Sequence, residues 1–381
     1  MKILVISAQQ THPVTAGNVN WIQTQCMVLK KLGHEVFFLH VQQPDFHPVV
    51  MEWIEETKTF WSNHFFSYKM TRLDKCLIGY KDKLRGQKKG RLFWGCDDKY
   101  PNGLSYYVKG LQKEFEFDAC IVQYFFFTKV FEKVHFPKRA VSTHDCFSYR
   151  NTRLKDPNSI AVSVADEAKC LQRCNYVFAL QDEEKFFFER IAPWSKVLNV
   201  YNYYEYKPSE IVGNKNIVVL SSGNPYNING IKWFIDNVLP ILNATHPEAK
   251  LLIGGALCSS LAKYKNLANV ELLGFVKDPI EVYSKGDIAI NPVFEGTGLK
   301  IKTFESIQYD KVTLVHPHSL TGIFSPLDHP LFVSDDAEEW AAYIDKVWSS
   351  RDEVLRVKTM NKEYLERMNS FVLSQYSIFA E

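Results

Sequence analysis

Short apolar runs alternate with helical stretches along this chain, and the alternation begins twice. Lys2–Ser7 reads as a buried strand. A polar loop carrying Pro13 and Gly17 follows, and Val19, Ile22, Cys26 and Leu29 then recur at helical spacing before Gly33. Val36–Val41 is the next apolar run. A strand, a helix and a strand joined this way lie parallel, because parallel neighbours need a long crossover. Further strands are expected at Ala119–Gln123, Ala140–Thr143, Tyr176–Leu180 and Val197–Val200. The pattern fades across 203–216, where Pro208 and Gly213 stand among polar residues. It restarts with a strand at Ile217–Ser221 and a helix at Gly230–Leu242. Strands at Lys250–Gly254, Val270–Gly274 and Asp287–Pro292 follow, then a helix at Leu299–Tyr309 and a strand at Val312–Val315. Strands this apolar are buried on both faces, as in doubly wound parallel α/β sheets. The restart predicts two such sheets facing each other across a cleft.

Composition agrees with two cores. Of 381 residues, 46% are hydrophobic and 23% charged, which suits folded domains rather than a disordered chain. Forty-five Lys and Arg against 43 Asp and Glu leave a net charge of +2, so no global basic signature of nucleic-acid binding exists. No apolar run is long enough to span a membrane, and the amino terminus lacks the pattern of a signal peptide. A cytoplasmic protein is expected. None of the eight cysteines forms Cys-x-x-Cys, which disfavours zinc and favours reduced, structural thiols.

The stretch Asn291-Pro-Val-Phe-Glu-Gly-Thr-Gly-Leu-Lys-Ile-Lys-Thr-Phe-Glu305 carries the most chemistry. A strand runs into a glycine turn and a helix. Gly296 and Gly298 let backbone approach a ligand, and unpaired N–H groups at a helix start suit a diphosphate. Lys300 and Lys302 add positive charge. Glu305 lies further along the helix, where its carboxylate can accept hydrogen bonds from ribose hydroxyls. Gly223 follows the strand Ile217–Ser221, and Gly274-Phe275-Val276 follows Val270–Gly274, where backbone can meet a base edge. All three segments follow strands and belong at the carboxyl edge, where open parallel sheets bind ligands.

These pieces resemble the donor domain of retaining GT-B-fold glycosyltransferases, in the large family-4-like group of bacterial polysaccharide and glycolipid enzymes. The resemblance rests on Asn-x-x-Gly-Ile-x-Trp-Phe at 227–234, Gly-Phe-Val at 274–276 and Pro-x-x-x-Gly-Thr-Gly-Leu-Lys-x-Lys-x-x-Glu at 292–305. MKILVIS, Leu-Gly-His-Glu-Val at 32–36 and Thr-His-Asp at 143–145 add a weaker likeness in the first half, while 45–115 matches nothing. The resemblance implies two Rossmann-like domains: 1–205 on the acceptor side and 206–360 binding the donor, with 361–381 a helix packing back on the first. It implies a nucleotide-diphosphate sugar, UDP- or GDP-linked, a glycan or lipid-linked acceptor, retention of configuration and no cofactor. Glu305 matches the second Glu of the family's Glu-x7-Glu motif. Thr297 stands where the first Glu would be, and Glu295 is its nearest substitute. The family's Arg and Lys after the first donor-domain strand are missing, and Asn224 and Asn227 stand there instead. Lys232, Lys300 and Lys302 remain as diphosphate cations, Lys302 foremost, with Leu299 beside them. His144 matches a His that contacts the transferred sugar, Asp145 orients it or binds acceptor, and Gly17 lets a loop approach the phosphates. No two aspartates stand two residues apart, so the metal-binding Asp-x-Asp of the other major transferase fold is absent, and no metal is expected.

Lys69–Arg91 holds nine basic residues against Asp74 and Asp82. Leu73, Leu77, Tyr80 and Leu84 recur in it at helical spacing. A basic amphipathic helix of this kind rests on anionic lipid or packs by that one stripe. Trp53, Phe60, Trp61, Phe65 and Phe66 just before it would supply interfacial aromatics, and peripheral contact with the inner face of a membrane is the expectation. Nucleic acid is not expected, since no recognised module accompanies the charge. Three alternatives to a transferase are a non-catalytic subunit that binds nucleotide or sugar, a GT-B-fold epimerase and a phosphorylase. A dinucleotide oxidoreductase is disfavoured, because no G-x-G-x-x-G follows the first strand.

Overall fold

The computed structural model describes residues 1–14, 16–84, 94–154, 159–296 and 298–380. They form two compact units, Met1–Tyr203 with Val372–Glu381, and Tyr204–Phe371. The first is built on β1 (Lys2–Ser7), β2 (Glu35–Gln42), β3 (Phe65–Lys69), β4 (Ala119–Gln123), β5 (Lys138–Ser142), β6 (Tyr176–Ala179) and β7 (Lys196–Asn199). Their order is β3-β2-β1-β4-β5-β6-β7, and every pair is parallel. Ile3 in β1 is registered with Val36 on one side and Ala119 on the other. Ile3, Leu4, Val5 and Ile6 are all fully buried. Successive side chains point to opposite faces, so a run without a polar partner means helices cover both faces.

The second unit is built on β8 (Asn216–Leu220), β9 (Lys250–Gly254), β10 (Val270–Gly274), β11 (Ile288–Asn291), β12 (Val312–Val315) and β13 (Phe332–Val333). Their order is β10-β9-β8-β11-β12-β13, again all parallel. The chain order reverses between β8 and β11, just as it does between β1 and β4 in the first unit.

Several elements differ from the sequence reading. The helix expected from Gly230 begins earlier, at Pro225, where Asn224 caps it. It runs through a wider turn at Phe234–Val238, ahead of Pro240, whose ring nitrogen has no hydrogen to donate. Phe65 and Phe66 lie in β3, a strand the sequence reading did not anticipate. Trp61 is fully buried and stacks on Phe38. Trp61 and Phe66, expected at an interface, therefore pack in the first unit, and of the five aromatics only Phe60 is exposed. Residue 361 lies inside the continuous helix Arg351–Gln375, and it is Val372–Glu381 that join the first unit.

Candidate functional site

In the second unit the loops after β8 and β11 leave adjacent strands at the point where the strand order reverses. Open parallel sheets bind ligands in the crevice formed there. The loop after β11 runs from Pro292 to Lys300, and the helix Ile301–Gln308 follows. Gly296 adopts φ +103° and Gly298 φ +75°, left-handed conformations that side chains other than glycine's adopt only with strain. A Cβ on Gly296 would also fall 3.0 Å from the Tyr226 ring. Thr297 lies outside the described residues. The His318 ring donates from Nε2 to the Gly296 carbonyl at 3.0 Å and props the turn from the loop after β12. Burial, and then the charge of Lys300, holds that imidazole below its ordinary pKa.

Lys302 and Glu305 stand one turn apart on the helix. Lys302 Nζ donates to both carboxylate oxygens of Glu305, at 3.2 and 3.1 Å. The buried Tyr283 hydroxyl donates to the same carboxylate at 3.2 Å. The Tyr283 ring is stacked on Tyr309, with centroids 4.8 Å apart, so Glu305 is held from behind by a rigid partner. Glu305 keeps only 13% of its side-chain surface, while Lys302 keeps 37%. The arrangement presents a cation next to an oriented carboxylate, which suits a phosphate beside a polyol. The N–H groups at this helix start are fewer than the sequence suggests. Ile301 N donates to Leu299 O and Thr303 N to Lys300 O, and Lys300 Nζ reaches the Gly298 carbonyl at 3.3 Å.

The loop after β8 holds Gly223, Asn224 and Asn227. Asn224 is engaged as a helix cap, accepting from Tyr226 N at 2.9 Å. Asn227 donates to the carbonyl and hydroxyl of Ser222. Both asparagines shape this segment through these bonds. Lys232 sits on the last turn of the helix Pro225–Trp233, eight residues beyond its cap, or about 12 Å along the axis. Gly230 faces the other loop so closely that a Cβ there would lie 2.6 Å from Pro292 O. Asn229, which the sequence reading passed over, donates to Glu295 at 2.9 Å and ties the two loops together. Glu295 is thus a loop anchor in this structure.

After β10, Gly274 adopts φ +75°, and its carbonyl accepts from Gly255 N at 2.7 Å. That carbonyl is committed to the neighbouring strand end, which leaves the backbone of Phe275 and Val276 as the part of the segment expected to meet a base edge. Phe275 beside it is 86% exposed, and Val276 is half-buried.

In the first unit, a cavity of about 240 Å³ opens at the carboxyl ends of β1, β4 and β5. Gln9, Tyr124, Phe126, His144, Asp145 and Arg150 are among its lining. Tyr124 and His144 end adjacent strands with φ +61° and +64°. Their rings stack with centroids 4.2 Å apart and a 14° tilt. Such backbone is costly for residues other than glycine and persists where the surroundings enforce it. Tyr124 N donates to Ser142 O, and its hydroxyl accepts from Gln9 and Asn18. Burial pushes the His144 pKa down to about 3, so the ring is neutral at ordinary pH.

Asp145 does not orient His144. It pairs with Arg150 at 2.6 Å and accepts from Cys146 N, while His144 Nε2 lies 2.8 Å from Gln123 Oε1. Two buried carboxylates stand behind this loop. Glu167 receives the N–H groups of Phe147 and Ser148, and burial with nearby Asp145 pushes Glu184 up to about 8. Gly17 is the exposed first residue of the helix Gly17–Lys31.

The basic segment forms the helix Arg72–Leu84, while residues 85–91 lie outside the described residues. Of the two expected modes, packing by the one stripe is not the one seen. Asp74 and Ile78 face inward, and Asp74 accepts from Tyr68 OH, Thr71 N and Gly103 N. Leu73 and Tyr80 of the expected packing stripe are instead 67% and 60% exposed.

Residues 214–350 match the family model for glycosyl transferases group 1. The matched stretch falls within the second unit. The architecture of the whole chain is that of GT-B proteins. TarM superposes over 100% of this chain and 96% of its own, with a TM-score of 0.64 and 10% identity. HepE from Anabaena, solved with UDP and glucose, covers 99% of both chains at a TM-score of 0.62 and 13% identity. The pneumococcal O-GlcNAc transferase GtfA, solved with UDP and GlcNAc, does so at 0.62 and 12%. An uncharacterized 44.6 kDa protein in the cps region of Klebsiella pneumoniae is 27% identical over an alignment of 105 residues that covers 24% of this chain. The match spans about a quarter of that relative's length.

Within the matched stretch, His318, Asn229 and Tyr283 are the site residues missed in the sequence. His318 had a signal, since His316-Pro-His318 follows a strand directly and so belongs at the carboxyl edge. Asn229 and Tyr283 had none, because each acts through a partner far along the chain.

Proposed function

We propose that this protein is a glycosyltransferase that moves a sugar from a nucleoside diphosphate to a hydroxyl of a glycan or glycolipid. The observation that carries the reading is the cluster of Gly296, Gly298, Lys300, Lys302 and Glu305 beside the β8 loop, within the matched stretch. The glycine turn and the lysines receive the diphosphate, Glu305 receives the ribose hydroxyls, and the Gly274–Val276 segment meets the base. Cleavage at the anomeric carbon leaves negative charge on the departing diphosphate. Lys302 and the backbone N–H groups neutralise it in place, which is how a preorganised site lowers such a barrier. The cavity lined by Tyr124 and His144 takes part of the sugar substrate, with aromatic faces against its C–H surface and His144 against a hydroxyl. Retention of configuration and independence of metal belong to the same proposal. The anomeric configuration of the product, read by NMR, and turnover in excess EDTA report on them.

A thermal-shift panel of UDP, GDP and their sugars tests the donor. One nucleotide family is expected to raise the melting temperature in a concentration-dependent way, as a ligand of the folded state must. Stabilisation without turnover on any acceptor would favour a non-catalytic binding subunit, and no stabilisation at all would sink the donor site.

We also propose peripheral contact with anionic membrane. Leu73 and Tyr80 project from the helix Arg72–Leu84 with exposed Arg72, Lys75 and Lys83 around them. Exposed apolar side chains ringed by cations suit the interface of an acidic bilayer. Among the described residues, no helix is long and apolar enough to cross a membrane. Flotation with vesicles containing phosphatidylserine is expected to carry the protein upward, and Leu73→Ser with Lys75→Glu and Lys83→Glu to abolish this. Equal flotation of the variant would remove the membrane reading.

A further inference from the structure

The ring of His144 is held by more than its stacking on Tyr124. A chain of buried amides leads away from it into the core of the first unit. His144 Nε2 lies 2.8 Å from Gln123 Oε1, Gln123 Nε2 donates to Gln25 Oε1 at 2.7 Å, and Gln25 Nε2 donates to the Tyr376 hydroxyl at 3.0 Å. Gln123 is at the end of β4, Gln25 is in the helix Gly17–Lys31, and Tyr376 belongs to the carboxyl-terminal segment. Gln123, Gln25 and Tyr376 are all buried. Each amide has one end that only accepts and one that only donates, so the chain has a direction. Gln123 spends its donor on Gln25 and offers His144 an oxygen. Only a protonated Nε2 can answer that oxygen.

We infer that Gln123, Gln25 and Tyr376 are positioning residues that hold His144 as the Nε2–H tautomer, leaving Nδ1 as the ring's acceptor. Since the neutral imidazole has a single proton, fixing it on Nε2 decides what the other nitrogen can do. Nδ1 then accepts a hydrogen bond from a substrate hydroxyl and cannot donate one. The edge of Trp21, its ring centroid 6.3 Å from that of His144, and the Tyr124 face confine the ring plane. The use of Nδ1 rests on the glycosyltransferase reading, whereas the tautomer does not. The arrangement also couples His144 to the last residues of the chain, more than 200 positions away in sequence.

The test is nitrogen-15 NMR on full-length protein labelled at histidine, with His144→Gln to assign the signal. The expected spectrum shows His144 protonated at Nε2 and bare at Nδ1 at neutral pH. Gln123→Met removes the acceptor, and the His144 signals are expected to move toward a mixture of tautomers. With a nucleotide sugar that stabilises the protein, kcat is expected to fall on the order of tenfold to a hundredfold, with the donor KM nearly unchanged. Gln123→Glu supplies an oxygen again and is expected to restore both the Nε2–H signal and most of kcat. Tyr376→Phe removes only the far end and is expected to act in the same direction, but less; it also serves should Gln123→Met fail to fold. A wild-type ring protonated at Nδ1, or a tautomer indifferent to both substitutions, would overturn the proposal. An intact tautomer in a protein that binds no nucleotide sugar would instead count against the glycosyltransferase reading alone.

Discussion

Glu305→Ala is expected to raise the KM for the nucleotide sugar by roughly tenfold to a hundredfold. Hydrogen bonds to a charged carboxylate contribute about 1.5–3 kcal/mol, and two ribose hydroxyls would share this one. The structure sharpens the experiment, because Glu305 also accepts from the buried Tyr283 hydroxyl. Alanine leaves that hydroxyl without its acceptor and lowers stability as well. Glu305→Gln is therefore the better measure, since its amide oxygen still receives Tyr283 while the charge beside Lys302 is gone. It should fold normally and show a smaller rise in KM than alanine does. His144→Ala provides the contrast, with kcat falling and the donor KM largely kept. Steady-state kinetics with varied donor checks all three. Unchanged donor KM in both Glu305 variants would mean that the pentose binds elsewhere.

Gly230→Ala is expected to destabilise the second unit by about 1–3 kcal/mol, the usual cost of forcing an extra methyl into packed surroundings. The sign is the informative part. In a helix interior alanine normally stabilises relative to glycine, by about 0.5–1 kcal/mol. Here the added carbon would lie 2.6 Å from Pro292 O, 2.9 Å from Pro292 C and 3.2 Å from Val293 Cα. All three are backbone atoms, so no side chain can swing aside. Either the helix Pro225–Trp233 or the loop leading to Gly296 must shift. Urea unfolding reads the loss of stability, and nucleotide-induced thermal shift should weaken in the same variant because the turn moves with the loop. A gain in stability would show that helix and loop do not approach this closely.

The fold was largely legible in the sequence, and the reason is local. β1, β4, β9, β10 and β12 fall where the apolar runs predict them, because strands packed under helices are mostly apolar. β3 was hidden, since Phe-Phe-Ser-Tyr-Lys at 65–69 mixes polar and aromatic residues as an edge strand does. The helix Arg72–Leu84 shows the opposite failure. Its apolar stripe suited either lipid or a packing face, but the helix docks by Asp74, which accepts from the backbone N–H groups of Gly103 and Thr71, and by Ile78.

The candidate site divides in the same way. Gly296, Gly298, Lys300, Lys302 and Glu305 lie within ten consecutive residues, so one strand end and one helix start set their neighbourhood. Residue type and spacing were enough to mark them. What surrounds them came only from tertiary structure. Tyr283 behind Glu305, His318 on the Gly296 carbonyl, Asn229 on Glu295, and Gln123 with Gln25 and Tyr376 behind His144 are pairings across long stretches of chain. A hydrogen bond is short and directional, and the sequence carries no record of which distant donor will arrive within 3 Å of a given acceptor. Periodicity determined which segments become strands and helices. The packing of those segments decided which charges and protons meet.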